Sequence, residues 1–387
     1  MEVSVPWRES SVADQRLEFV RLAQQGTISF AELCRRYGVK RDTGYKWLAR
    51  YQQEGPGGLH DRSHKPLRSP NRTDPGTEEL VCEVRRAHPA WGGRKIRGFL
   101  LRQGHTQVPA GSTITQILRR NDLMATATAQ PRAYQRFETD APNALWQMDF
   151  KGWVSVATGD RVHPFGLLDD HSRFNLSLRA STDQQTPTVK GYLAEVFSVY
   201  GLPDRILCDN GSPWGNTVGQ PWNPLTVWFA DLGIATSHIR PFHPQTQGKE
   251  ERFHRTLDLE VISTKARWDT VGQLQGAFDD FRTLYNHHRP HQSLGETVVP
   301  ADRYRPSPRT MPATLPELSF PQGSQVRKVT ERADISFKGK RIRVGKPFRG
   351  LHVGVRPTTT DGVFDIYYRH RKVKTFDLST ISPNARP

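Results

Sequence analysis

Leu145-Trp146-Gln147-Met148-Asp149-Phe150 places an aspartate in a short β-like run, and Ile206-Leu207-Cys208-Asp209-Asn210-Gly211 puts another at the end of a second run. A third acid, Glu251, stands in Gln247-Gly248-Lys249-Glu250-Glu251-Arg252-Phe253-His254, which reads as a helix. Three anionic side chains gathered at one point repel one another and raise each other's pKa unless a cation holds them. Hard oxygen ligands suit Mg²⁺, and two such ions can clamp the attacking and leaving oxygens of a phosphodiester displacement. Ala141 to Tyr285 therefore reads as the core of a metal-dependent nuclease and strand-transfer enzyme.

Around these acids the pattern alternates. Trp146–Val156 and Val162–Leu168 read as strands joined by a turn at Thr158-Gly159-Asp160, with Phe174–Leu178 as a third. Thr186–Tyr200 reads as a helix, Arg205–Cys208 as a buried strand, Leu225–Leu232 as a helix and Thr236–Ile239 as a short strand. A meander followed by strand–helix alternation predicts a mixed α/β sheet with helices on its faces. Asp149 and Asp209 meet there if their strands are neighbours. In the last helix Phe253, Leu257 and Val261 form one apolar stripe that takes in Glu250, while Glu251 lies at its margin beside Arg255. A carboxylate that must reach metal and DNA belongs at that margin, so Glu251 is chosen over Glu250. Asp169 and Asp170 read as structural acids of a turn. His287, His288 and His291 read as helix-end packing.

On the N-terminal side, residues 13–54 read as three helices: one over about Ala13–Gln24, a second after Ser29 with Glu32 completing a capping box, and a third from about Arg41. Two short helices with a glycine turn at Gly38 make a helix-turn-helix pattern, whose last helix would offer Lys40, Arg41, Thr43 and Lys46 to a major groove. Residues 55–76 read as a basic linker carrying Arg62 and Lys65. Thr77–Ala87, Arg94–Arg102 and Ser112–Arg120 predict a second helix-turn-helix or winged unit, with Arg94, Lys95, Arg119 and Arg120 on a basic surface. A second link covers 124–143, and a proline-rich one 305–324. Beyond it, strand-like runs between Val326 and Phe376 predict a small basic β-barrel that contacts the DNA backbone or another subunit.

Charge follows this division. Residues 1–125 hold 21 Lys/Arg against 13 Asp/Glu and residues 321–387 hold 15 against 5, so the flanks carry the net charge of +16 and the centre is near neutral. Basic flanks around an acidic site suit outer parts that grip a polyanion. Three scattered cysteines, Cys34, Cys82 and Cys208, lack metal-ligand spacing and point to a reducing compartment. No apolar run approaches the ~20 residues of a membrane span. A soluble, cytoplasmic protein with no membrane partner is expected.

The segments Trp146–Phe150, Cys208–Gly211 and His243–Arg255 resemble the DDE motifs of bacterial insertion-sequence transposases with a retroviral-integrase-type core. So do Tyr285-Asn286, Arg289-Pro290-His291-Gln292-Ser293-Leu294-Gly295 and Pro300-Ala301, together with the Tyr45-Lys46-Trp47-Leu48 helix. The resemblance spans nearly the whole chain. It departs at Glu250, where the family usually has an apolar residue, and in the 41 residues between Asp209 and Glu251, which imply a longer loop at Ser212–Pro224. It implies a multidomain chain: an N-terminal all-α helix-turn-helix pair (1–54 and 77–123), a central α/β ribonuclease-H-like core (144–304) and the C-terminal barrel (325–387). In the core, Asp149, Asp209 and Glu251 would hold two Mg²⁺ ions, with Mn²⁺ able to substitute, and His243 and Arg255 would contact scissile-strand phosphate. The implied protein is bacterial and nucleoid-associated. It works as a homodimer or homotetramer on double-stranded DNA, both element ends and target. The rival reading is a non-catalytic sequence-specific DNA-binding protein, a domesticated transposase or regulator.

Overall fold

In the computed structural model, which describes residues 10–62, 72–124, 138–209, 211, 213–214, 222–238 and 248–381, the chain divides into two units, Met1–Arg72 and Thr73–Pro387. The first unit contains α1 (Val12–Gln25), α2 (Phe30–Arg36) and α3 (Arg41–Glu54) around Phe19, Val20, Leu33, Cys34, Trp47 and Leu59. A full capping box forms at Ser11 and Asp14. The box expected at Ser29 is only half made. The Ser29 hydroxyl accepts from the Glu32 N–H at 3.3 Å, but the Glu32 carboxylate is drawn to Arg35 and Arg36. Gly44 brings α3 onto its neighbours, since a Cβ there would meet Cys34 Sγ and Phe19 Cζ at 2.9 Å.

The second unit begins with α4 (Pro75–Ala87), α5 (Gly93–Arg102) and α6 (Gly111–Arg120), packed around Val81, Trp91, Ile96, Leu100, Ile114, Ile117 and Leu118. The described residues from 72 to 124 contain no strand, so the winged alternative is not seen there. Gly98 in α5 lets this helical module lie against the segment around Glu296: a Cβ would stand 2.0 Å from the Glu296 carbonyl oxygen.

The central sheet comprises β1 (Trp146–Phe150), β2 (Val154–Ser155), β3 (Arg161–Asp169), β4 (Asn175–Ser181), β5 (Arg205–Cys208) and β6 (Ala235–His238). Its main path runs β4-β3-β1-β5-β6, with β2 paired to β3. β3 is antiparallel to both β1 and β4, whereas β1, β5 and β6 run parallel. The first strand expected from the sequence is broken in two. Gly152 adopts φ 39°, and the Lys151 N–H turns to the Pro164 carbonyl at 2.9 Å. On one face α7 (Thr186–Tyr200) and α8 (Pro224–Asp231) cover Trp146, Met148, Phe165, Leu167, Ile206 and Cys208. On the other, α9 (Gly248–Glu260) and α10 (Val271–His287) cover Val162, Leu168, Leu178 and Ala180. Strands flanked by helices on both faces are the three-layer ribonuclease-H-like arrangement. Short α11 (Pro300–Arg303) follows.

The proline-rich segment is stitched down: Arg309 donates to the carbonyls of Pro203, Leu232 and Gly233 at 2.9, 3.1 and 3.1 Å. Among the described residues the C-terminal region shows no closed barrel. β7 (Gln325–Lys328), β10 (His352–Pro357), β11 (Val363–Tyr368) and β12 (Arg371–Asp377) form a four-stranded antiparallel sheet, and β8 (Asp334–Phe337) pairs with β9 (Lys340–Arg343) in a separate two-stranded sheet. Closure is unnecessary for burial because α8 supplies the missing wall. Val227 and Ala230 join Ile335, Phe337, Ile342, Val353 and Ile366 in one core, and Asp231 accepts from Tyr368 Oη at 2.7 Å and Arg369 Nε at 2.8 Å. Among the described residues no helix is long and apolar enough to cross a membrane.

Two glycines test this packing in opposite directions. Gly98→Ala is expected to destabilise by about 1–3 kcal/mol through overpacking against Glu296. Gly191→Ala, on an exposed stretch of α7 with no atom near its Cβ position, is expected to stabilise by roughly 0.5–1 kcal/mol. Denaturant melts of both variants check the pair, and equal shifts would contradict the close contact at Gly98.

Candidate active site

β1 and β5 are parallel neighbours, with Trp146 beside Ile206 and Gln147 beside Leu207. Continued by two residues, that register sets Asp149 level with Asp209. Side chains alternate along a strand, and Trp146, Met148, Ile206 and Cys208 enter the core beneath α7 and α8. Asp149 therefore turns to the opposite face, toward His254 of α9, while Asp209 stands one residue past the end of β5. Gly166 of β3 lies directly across from Asp149, and the space beyond it is bounded by Glu250, Phe253 and His254.

Each aspartate is oriented by local donors. Asp149 Oδ1 accepts the Phe150 N–H at 2.8 Å. Asp209 Oδ1 accepts the Gly211 N–H at 2.9 Å and the indole N–H of Trp214. The Trp214 ring is buried and stacks on Phe150 with centroids 5.1 Å apart, so one aromatic pair backs both acids. Trp214 lies in the Ser212–Pro224 stretch expected as a loop. Its nearness to Asp-Asn-Gly was the one available signal.

Burial raises the Asp149 pKa to about 7, and repulsion from Asp209 and then Glu251 adds to that shift, against the lowering effect of the Phe150 N–H. Asp149, strained toward its neutral form with Asp209 and Glu251 in electrostatic reach of it, has the donor chemistry that a hard divalent cation relieves. Among the described residues no group of three acid, His or Cys side chains is placed to hold a metal ion.

On α9 the expected faces are observed. Phe253 and Leu257 are buried, Glu250 is 0% exposed, and Glu251 and Arg255 are exposed. Neither carboxylate oxygen of Glu250 has a hydrogen-bond partner. Burial first, and then Asp149, raise its pKa well above the carboxylate range. His254 lies between the two acids, its Nε2 3.7 Å from Glu250 and its Nδ1 3.8 Å from Asp149. Burial and then Lys151 push His254 down to about 4. A neutral ring at those distances makes neither an ion pair nor a hydrogen bond.

Asp169 and Asp170 do structural work, as the sequence suggested. Asp169 accepts from the Asn143 N–H at 2.7 Å, the Ser172 N–H at 2.8 Å and the Ser172 hydroxyl at 2.6 Å. Asp170 is fully buried and accepts from Gln147 Nε2 at 2.6 Å, the Thr139 N–H at 2.9 Å and Lys249 Nζ, which pins the first turn of α9.

The residues expected to touch DNA are distributed unevenly. Lys40, Arg41 and Lys46 are exposed at the start of α3, and Thr43 is half-buried. Arg94 and Arg119 are exposed, whereas Arg62 and Arg120, also exposed, are paired with Glu54 and Glu78. Lys95 departs from its expected place on a basic surface. Its ammonium is turned inward, 3.3 Å from Glu260, and burial first and Arg289 second lower its pKa to about 8. Neighbouring residues on a helix point in different directions, so Arg94 reaches solvent while Lys95 does not. Lys65, Asn210 and His243 lie outside the described residues.

Comparison with known proteins agrees with this architecture. Residues 139–244 and 232–298 match integrase core domain models, residues 15–66 a helix-turn-helix domain and residues 43–118 a homeodomain-like domain. A Xanthomonas euvesicatoria protein of insertion element IS476 is 25% identical over 173 residues, covering 44% of this chain and 47% of that protein. The Gag-Pro-Pol polyprotein of simian retrovirus SRV-1 is 29% identical over 150 residues, covering 39% of this chain and 8% of the polyprotein. The chain thus spans less than half the length of these two relatives. Among solved structures, the catalytic core domain of BIV integrase is 21% identical with a TM-score of 0.32, covering 41% of this chain and 92% of that one. The simian T-cell lymphotropic virus intasome is 13% identical with a TM-score of 0.37, covering 79% and 99%. The central part of the chain is thus similar to integrase core domains and to an insertion-element protein. The C-terminal part of the chain, residues 324–384, matches the C-terminal domain of IS481 family transposases.

The site generates two expectations. A carboxyl raised from 3.8 to about 7 supports the fold fully below pH 3.8 and loses that contribution as pH rises through about 7. In metal-free buffer Asp149→Asn should therefore gain stability over the wild type as pH climbs from 4 to 7. Thermal melts across that range check this, and parallel curves would contradict it. Glu250→Leu, which removes a buried carboxyl without partners, is expected to stabilise by about 1–3 kcal/mol. A lowered denaturant midpoint would show that this carboxyl has a favourable role in the fold.

Proposed function

We propose that this protein binds the terminal inverted repeats of an insertion sequence, cleaves at the element end and joins the freed 3′-hydroxyl to target DNA. The observation that carries this reading is the β1–β5 register, which sets Asp149 level with Asp209. Asp149, Asp209 and Glu251 would hold two Mg²⁺ ions, for which Mn²⁺ can substitute. Bound there, such ions supply Lewis-acid polarisation of the scissile phosphate and activation of the attacking oxygen.

The remaining work falls to the chain's own groups. The Phe150 N–H and the Trp214 indole fix the orientation of the two aspartates. Arg255, one turn from Glu251 and exposed, offers a guanidinium to the phosphate of the scissile strand. Lys40, Arg41, Thr43 and Lys46 would enter a major groove, while Arg62, Lys65, Arg94, Arg119 and Arg120 follow the backbone. Two element ends must be processed together, which calls for a homodimer or homotetramer on DNA.

Removing one ligand takes away several kcal/mol of charge stabilisation, roughly 10²-fold or more in rate. Asp149→Asn is therefore expected to bind end-containing DNA like the wild type and to lose Mg²⁺-dependent nicking. Retention of nicking by the variant would overturn the assignment, and a wild-type protein that binds but never nicks would point to a regulator.

A further inference from the structure

α9 carries Glu251 in its first turn and ends on Glu260. A carboxylate at a helix C-terminus faces the negative end of the helix dipole, and the last turn of α9 contains no basic residue. The compensating donors come from two other parts of the chain. Arg289 donates to Glu260 through Nε at 3.0 Å and Nη2 at 2.8 Å. Trp91 Nε1 donates at 3.0 Å, and Lys95 Nζ lies 3.3 Å away. The side chains of Glu260 and Arg289 are each 8% exposed and that of Lys95 14%. Trp91 is fully buried.

Trp91 and Lys95 belong to the helical module, immediately before and within the first turn of α5. The same helix meets the core at Gly98, and its Arg102 forms a bidentate pair with Asp302 at 2.7 and 2.9 Å. A module that only reads DNA needs an exposed basic face. This one spends a tryptophan and a lysine on the end of the helix that bears Glu251. At the opposite end Lys249 is tied to the buried Asp170, and Phe253 and Leu257 pack between. The helix is thus bolted at both ends, once within the core and once by the module.

We propose that Glu260 is a positioning residue, through which Trp91 and Lys95 set the placement of Glu251 over Asp149 and Asp209. The inference rests on the role of Glu251 under Proposed function. It makes the module part of the catalytic framework as well as a DNA-binding element.

Glu260→Gln, Lys95→Met and Trp91→Phe in the full chain test it. Displacements of about 1 Å at a reacting group can slow a reaction roughly 10²-fold. Glu260→Gln is expected to lower the single-turnover nicking rate at saturating DNA at least about tenfold, with affinity for end DNA little changed. Amide exchange over residues 248–256 should quicken in all three variants while that of β3 stays constant. Trp91→Phe removes a single N–H donor and decides the matter if Glu260→Gln does not fold. Wild-type nicking rates per folded molecule together with unchanged exchange over 248–256 would overturn the proposal. Absence of nicking by the wild type would instead count against the reading of Glu251, and the exchange measurement would still decide the hold on α9.

Discussion

The parallel pairing of β1 with β5 puts two carboxylates side by side, and that placement governs the rest of the core. Burial first, and then repulsion from Asp209 and Glu251, raises the pKa of Asp149. The fold tolerates it because each acid is held by something rigid. A backbone N–H and an indole N–H fix the carboxylates, and a stacked Phe150–Trp214 pair lies behind them.

α9 carries both glutamates that the sequence sets beside the two aspartates. It presents a buried acid and an exposed acid at consecutive positions, and helix geometry alone separates their fates. Glu250 falls on the stripe with Phe253 and Leu257 and loses all hydrogen-bonding partners, while Glu251 reaches the margin. Short helices are marginal by themselves, so the placement of this one comes from tertiary contacts. The buried clusters at Asp170 and Glu260 provide them. Isolated buried charges would be costly, but both acids are met by several donors.

The same economy of surfaces explains the C-terminal region. Its six short strands would need closure to shield their apolar faces if they stood alone. α8 removes the need by serving two cores at once, with Phe229 and Leu225 turned to the central sheet and Val227 and Ala230 to the C-terminal one. A closed barrel is not seen among the described residues, and strand count and alternation do not reveal that another segment covers the open side.

The sequence by itself determined the periodic elements, the basic flanks, the identity of the acids and the choice of exposed face on the Glu251 helix. These depend on local spacing, and local spacing survives in a linear chain. Tertiary structure alone decided that the Asp149 and Asp209 strands are neighbours, that Trp214 backs them, and that Lys95 turns inward to Glu260 instead of outward to DNA. Each of these pairs residues far apart along the chain, and such pairings are settled by which apolar surfaces bury one another, a property no single segment carries.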